Sequence, residues 1–215
     1  MRNKGFTLAE VLITLAIIGV IAAISVPSLI QKTNQAELIT AWKKEFAVLS
    51  QACEKYAFDV GSISKTNMAN DFGNQIKIVK KCSNNAQDGV CWHDVKQSFY
   101  LNGSTVDDGN NGVPVASSFI SSSGTLYLVY NQGSCSSQIT DYNLELASCG
   151  QVFMDINGFK KPNTWGKDIF GANVYSDGTV MPLSTNTDTM TDGGYNCNSG
   201  TNNGAGCSAQ YLYSK

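Results

Sequence analysis

The stretch from Phe6 to Val26 holds one charged side chain, Glu10, in an otherwise apolar run closed by Pro27. At 1.5 Å per residue, about 21 helical residues reach about 31 Å, the thickness of a bilayer's hydrocarbon core. The basic Met1-Arg2-Asn3-Lys4-Gly5 precedes the run, and the excess of positive charge places that end in the cytoplasm and the remainder outside. Two ordinary readings fit the hydropathy. One is a secretory signal peptide, for which Ala23-Ile24-Ser25 supplies small residues at a cleavage position. The other is a plain signal anchor. Glu10 argues against both, because a carboxylate in a membrane helix costs about 2.5–3.5 kcal/mol and is functional by default. The run contains no basic residue to compensate it.

Lys4-Gly5-Phe6-Thr7-Leu8-Ala9-Glu10-Val11-Leu12-Ile13 resembles the class III signal of type IV pilins and type II secretion pseudopilins. The resemblance covers about the first 30 residues, and its motif is specific: Gly, Phe, Thr-Leu, then Glu at the fifth place after the glycine, then unbroken apolar sequence. It implies a membrane aspartic peptidase that cuts between Gly5 and Phe6 on the cytoplasmic face and methylates the new Phe6 amine. The apolar segment is then retained, first as an anchor and later as the packed centre of a fibre.

That chemistry gives Glu10 a purpose. Cleavage creates a positive amine in the same low-dielectric layer, and an amine and a carboxylate on adjacent subunits offset each other's desolvation. A misregistered subunit leaves both charges unpaired, so the pair sets axial register. Gly19 and Pro27 bracket the stretch Val20–Val26. Proline removes a backbone donor and glycine adds freedom. The resemblance implies that this stretch unwinds on leaving the membrane; a harmless kink is the alternative.

Beyond Pro27 the pattern continues as helix to about residue 60. Ile39, Trp42, Phe46, Leu49, Cys53, Tyr56 and Val60 alternate at spacings of three and four, an amphipathic stripe. Lys43, Lys44, Glu45, Glu54 and Lys55 fall off it, toward solvent or a neighbour. Cys53 lies on the stripe and reads as a buried thiol. The other six cysteines, Cys82, Cys91, Cys135, Cys149, Cys197 and Cys207, fall in the Gly/Asn/Ser-rich part of the chain as three close pairs. Local disulfides in an oxidising compartment are the simplest reading, although spacing does not fix connectivity.

Residues 61–123 read weakly. Asp71-Phe72-Gly73 and Asn102-Gly103 mark turns, 75–81 is a short helix or strand, 107–112 a polar loop, and Ser117–Ser123 a low-complexity spacer. The resemblance implies an outward-facing variable connection here. Strand signals follow at 125–130, 151–156 and 169–175, and Ser176-Asp177-Gly178-Thr179 is a hairpin turn into Val180-Met181-Pro182. Short turns between consecutive strands predict an antiparallel sheet packed on the helix stripe. The tail from Leu183 reads as polar loop.

Charge and composition narrow the chemistry. Charged residues are 15% of the chain, against roughly 25% in an ordinary soluble domain, and the net charge is −2. Nothing in that balance seeks nucleic acid. A single histidine, His93, removes most histidine catalysis and metal ligation; beside Cys91 and Asp94 it does not form a triad. Asp155, Asn157, Asn163 and Asp168 carry oxygens of the type calcium takes, and some pseudopilins bind calcium in sheet loops. Yet the spacing is not an EF-hand and Lys160, Lys161 and Lys167 crowd it, so the expectation is Asx and Gly turns.

The chain therefore reads as an α+β, pilin-like protein. Residues 1–5 are a leader, 6–27 a transmembrane and assembly helix, 28–60 its amphipathic continuation, and 61–215 a globular antiparallel sheet domain with disulfide-stapled loops. The expected role is a structural subunit of a type IV pilus-like filament, not an enzyme and without a cofactor. A type II secretion pseudopilin is one alternative, and a membrane-tethered exported binding domain that never polymerises is another. The resemblance implies like and sibling subunits, a prepilin peptidase, an assembly ATPase with its membrane platform, and inner-membrane lipid as partners. It also implies a bacterial inner-membrane location with one crossing, before entry into a pilus or pseudopilus.

Overall fold

The computed structural model describes residues 5, 7–63, 75–82, 89–94, 97–106, 116–131, 135, 137–138, 147–183, 197 and 204–214. The turn at 71–73 and the loop at 107–112 lie outside the described residues, as do Met1–Lys4 and Phe6. A first compact unit comprises Met1–Glu37 and a second Leu38–Lys215. Helix α1, Leu8–Val60, contributes to both.

In the second unit seven strands form one antiparallel sheet: β1 (Ile78–Cys82), β2 (Ala116–Ser121), β3 (Leu126–Asn131), β4 (Ser137–Gln138), β5 (Ala147–Asp155), β6 (Ile169–Tyr175) and β7 (Val180–Pro182). They order as β1-β2-β3-β5-β6-β7, with β4 paired to the start of β5. A short helix α2, Cys207–Tyr213, follows. The α+β architecture read from the sequence is borne out, and the strands expected at 125–130, 151–156 and 169–175 fall at Leu126–Asn131, Ala147–Asp155 and Ile169–Tyr175.

Alternation sorts the sheet into two faces. Tyr127, Val129, Val152, Met154, Phe170, Ala172 and Val174 form the main core with Trp42, Leu49, Ala52, Cys53 and Ala57 of α1. Trp42 stacks on Phe170 at 4.9 Å and donates its indole N–H to the Ser208 carbonyl at 3.0 Å. The β6–β7 turn reaches the same helix. Gly178 has φ 91°, and a Cβ there would come within 2.7 Å of the Ala57 Cβ. Only glycine meets both demands.

Three expectations are corrected. Glu45 does not face solvent: it is buried on the line Trp42-Glu45-Leu49-Ala52, where Tyr127 donates its hydroxyl to Glu45 Oε2 at 2.6 Å. Val60, by contrast, is exposed. The serine-rich spacer at 117–123 is strand β2 and its turn. Phe119 pairs with Tyr127 across the strands and stacks on it at 4.6 Å, and the ladder to β1 and β3 supplies the backbone partners its composition does not advertise. The tail also holds core: Leu183, Ala205, Cys207 and Ser208 are buried, with Gly171 N–H bonded to Ser208 Oγ at 3.0 Å.

Removing the Tyr127 hydroxyl leaves Glu45 buried without that donor, so Tyr127→Phe is expected to cost about 1–3 kcal/mol. Urea unfolding of the full chain in detergent measures it. Replacing both partners, Tyr127→Phe with Glu45→Leu, is expected to recover most of the loss. An unchanged midpoint for the single variant would refute the assignment.

Candidate functional site

The first turn of α1 carries Glu10, the residue expected to act in assembly. Helix starts leave N–H groups without partners, and here Thr7 and Glu10 satisfy them reciprocally. The Thr7 N–H donates to Glu10 Oε2 at 2.8 Å, the Thr7 hydroxyl donates to the same oxygen at 2.9 Å, and the Glu10 N–H donates to Thr7 Oγ1 at 3.3 Å. This is a capping box, legible in the sequence as Thr-x-x-Glu, and the search for a basic partner overlooked it. Glu10 therefore has local donors although the run offers no cation. Gly5, just before the box, has nothing within 4 Å of where a Cβ would lie. Phe6, the other half of the expected cleavage site, lies outside the described residues.

Around Glu10 the helix is bare. Leu12, Ile13, Leu15, Ile18 and Ile21 are 58–62% exposed, and no part of the most apolar 18-residue window is buried. A continuous apolar surface of this kind requires lipid or other chains to cover it. The helix passes through Gly19 and Pro27 without interruption. At Pro27 the missing N–H leaves the Ala23 carbonyl without its ordinary donor.

The four oxygen-bearing residues of the β5–β6 connection do come together. Asp168 Oδ2 accepts from the Asn163 N–H at 2.8 Å and the Asn157 side-chain amide at 3.1 Å, while its Oδ1 accepts from the Thr164 N–H at 2.6 Å. Asp155 Oδ1 accepts from the Asn157 N–H at 3.2 Å. These carboxylate oxygens are engaged by the chain's own N–H groups, in the turn-closing role that Asx residues play. Asn157 Oδ1 and Asn163 Oδ1 are buried without a hydrogen-bond partner. No group of three or more His, Cys, Asp or Glu is arranged to hold a metal among the described residues. As folded, the set closes a turn.

The residue that sequence reasoning missed in this cluster is His93. It is buried, and its Nε2 lies 2.7 Å from Asp155 Oδ2. Cys91, its neighbour, is bonded to Cys82; Cys135 pairs with Cys149 and Cys197 with Cys207, leaving Cys53 a buried free thiol. Burial lowers the His93 pKa, with the charge of Asp168 partly offsetting it. Burial, and then the charge of Asp168, push Asp155 up to about 9, against N–H bonds from Asn157 and Gly158. Asp168 is itself raised by burial, opposed by N–H bonds from Thr164, Asn163, Asn157 and its own backbone. Both partners thus favour their neutral forms. Burial therefore favours one proton held between the two across the short contact over a pair of full charges.

Comparison with known proteins bears on the N-terminal segment. Residues 1–26 match the family described as the prokaryotic N-terminal methylation motif. The chain is also similar to the type IV major pilin protein PilA of Myxococcus xanthus (strain DK1622), 45% identical over 56 residues, which cover 21% of this chain and 26% of that protein. The chain thus matches about a quarter of that curated relative's length. No solved structure matches it. The family match falls on the segment that carries the resemblance to type IV pilins, and with the PilA similarity it bears that resemblance out.

The shared proton makes folding pH-dependent. Asp155 binds its proton in the folded state up to about pH 9 but only below about 3.8 when unfolded, so its contribution to stability falls as pH rises across that window. His93 acts oppositely, and its effect ends near its ordinary value of 6.5. Between about pH 6.5 and 9 stability is therefore expected to fall as pH rises, with a limiting slope near 1.4 kcal/mol per pH unit for the one proton. Urea midpoints across that range measure the slope. Asp155→Asn should flatten it; an equal slope in the variant excludes this proton as its source.

Proposed function

We propose that the chain is made as a precursor, cut between Gly5 and Phe6, methylated at the Phe6 amine, and polymerised through α1 into a type IV pilus-like filament. The carrying observation is a carboxylate, Glu10, set one turn into a wholly uncovered apolar helix directly after the expected cut. Arg2 and Lys4 favour a single inner-membrane crossing with the globular unit outside the cytoplasm. A prepilin peptidase, an assembly ATPase acting through a membrane platform, and like or sibling subunits are the partners this reading requires.

The capping box bears on how such assembly works. Thr7 follows Phe6, so the box survives the cut. In the membrane it shields Glu10 with two hydrogen bonds but leaves its charge uncompensated. The new amine of a neighbour supplies the missing cation, and in a low dielectric that pairing is strong and specific in register. A subunit out of register keeps the two hydrogen bonds and lacks the cation. Gly19 and the unpaired carbonyl before Pro27 make Val20–Val26 the weakest turn of the helix, the place for it to unwind as subunits leave the bilayer.

A surface pilus is favoured over a secretion pseudopilus by the similarity to a major pilin and by the disulfide-stapled globular unit, which suits an exposed fibre. N-terminal mass spectrometry on membrane and sheared-surface fractions tests the whole reading. The expected terminus is Phe6 with one added methyl, present in both fractions. Glu10→Ala should be processed and retained in the membrane yet absent from sheared material. A terminus at Met1, or one after Ser25, or normal filaments from Glu10→Ala, would falsify the proposal.

A further inference from the structure

The face of the sheet turned away from α1 carries a cleft of about 200 Å³. Its floor follows from strand register: Leu128 pairs with Phe153 and Tyr130 with Gln151, and as alternate residues all four project from that one face. Its walls are Trp92, Ser98, Tyr100 and Trp165. Phe153 lies against Trp165 at 4.9 Å and 61°, Tyr130 against Phe153 at 5.3 Å and 72°, and Tyr100 lies 6.3 Å from Trp165. Opposite Phe153 stands Gly171, where a Cβ would come within 2.8 Å of the Phe153 ring. The absent side chain leaves room for that ring.

We infer that this cleft binds a neutral pyranose ring, one unit of a polysaccharide. The lining excludes other classes by its chemistry. Among the described residues its lining contains no Lys, Arg or His to meet an anion and no carboxylate to meet a cation. An unadorned apolar ligand, or a quaternary ammonium without donors or acceptors, would desolvate the Gln151 amide and the Ser98, Tyr100 and Tyr130 hydroxyls without replacing their hydrogen bonds, at a cost. A pyranose matches both halves of the surface: its C–H face lies on aromatic rings, and its hydroxyls act as donors and acceptors toward amide and hydroxyl groups. The cleft's volume suits one such ring rather than a larger ligand.

The cleft is also preorganised. Gln151 donates one amide hydrogen to Asn173 Oδ1 at 3.1 Å, which fixes its side chain. Trp92 is held by the residues beside it, Cys91 in its disulfide and His93 on Asp155. Rings so fixed lose little entropy on binding. Single-ring affinity in such a site lies in the millimolar range. Repetition along a filament would raise it through avidity, and that step alone rests on the proposed function.

The test is tryptophan fluorescence of the full chain in a polyoxyethylene detergent, which carries neither sugar nor choline. The chain is titrated with methyl glucoside, methyl galactoside and N-acetylglucosamine, and separately with choline chloride. At least one sugar should give a saturable change with millimolar midpoint, and choline none. Trp165→Ala and Gln151→Ala should each weaken the sugar response about tenfold, and Tyr100→Ala, at the rim, serves if either misfolds. No response to any sugar, a response to choline instead, or an undiminished sugar response in the variants overturns the proposal. The titration involves no filament, so its failure leaves the assembly reading standing, and a failed assembly experiment leaves the cleft standing.

Discussion

The hydrogen bond from Tyr127 to Glu45 decides which side of the sheet α1 can cover. A carboxylate held at the centre of a helix–sheet interface is costly to leave without a donor, so its partner must lie opposite it, and Tyr127 of β3 supplies one. With that contact set, Trp42 falls on Phe170 and against the Ser208 carbonyl, and the Gly178 turn closes on Ala57 and Cys53. One face of the sheet is thereby committed to the helix. Its other face is left for the 89–106 segment and the β5–β6 connection, where His93, Asp155 and the aromatic cleft are found.

Most of the strands were legible because alternation and aromatic content announce them. What escaped did so for identifiable reasons. Glu45 sits at a spacing as good as Phe46's for the buried stripe, and its charge alone argued for solvent; nothing local reveals a tyrosine 82 residues away. Strand β2 is half serine, and its pairing with β1 and β3, together with Phe119 on Tyr127, makes it strand. The tail lacks apolar runs, yet a few small residues suffice to bury the start of α2, where Gly171 leaves room beside Leu183 and Ser208. His93 could not be placed at all, since its partner lies 62 residues on. The Thr7–Glu10 box is the opposite case: a spacing of three, fully visible, passed over because attention went to charge rather than to backbone donors.

The two buried acidic sites of the globular unit solve the same problem differently. Glu45 receives one short hydrogen bond from a tyrosine whose own ionisation is pushed far out of reach by burial and by that carboxylate. Asp155 lies near the charge of Asp168 and shares a proton with a histidine that burial also holds neutral. The first arrangement fixes a helix. The second anchors the segment bearing Trp92 and couples that anchoring to proton uptake. A polar group placed in the core is thus structural in one case and conditional in the other, and the difference is whether its partner can also titrate near neutrality.

Sparse charge links the two ends of the molecule. In a protein with 15% charged residues, long-range fields contribute little, and recognition falls to contacts that act only at van der Waals or hydrogen-bond range. At the N-terminus, under the proposed assembly, that economy would make a single carboxylate decisive, because no other charge in the run could mask its pairing or mimic it. On the sheet face away from α1 it leaves a ring-lined cleft whose described lining is uncharged. In both places specificity comes from an isolated group set against a neutral background, the condition under which one misplaced contact has nothing nearby to compensate it.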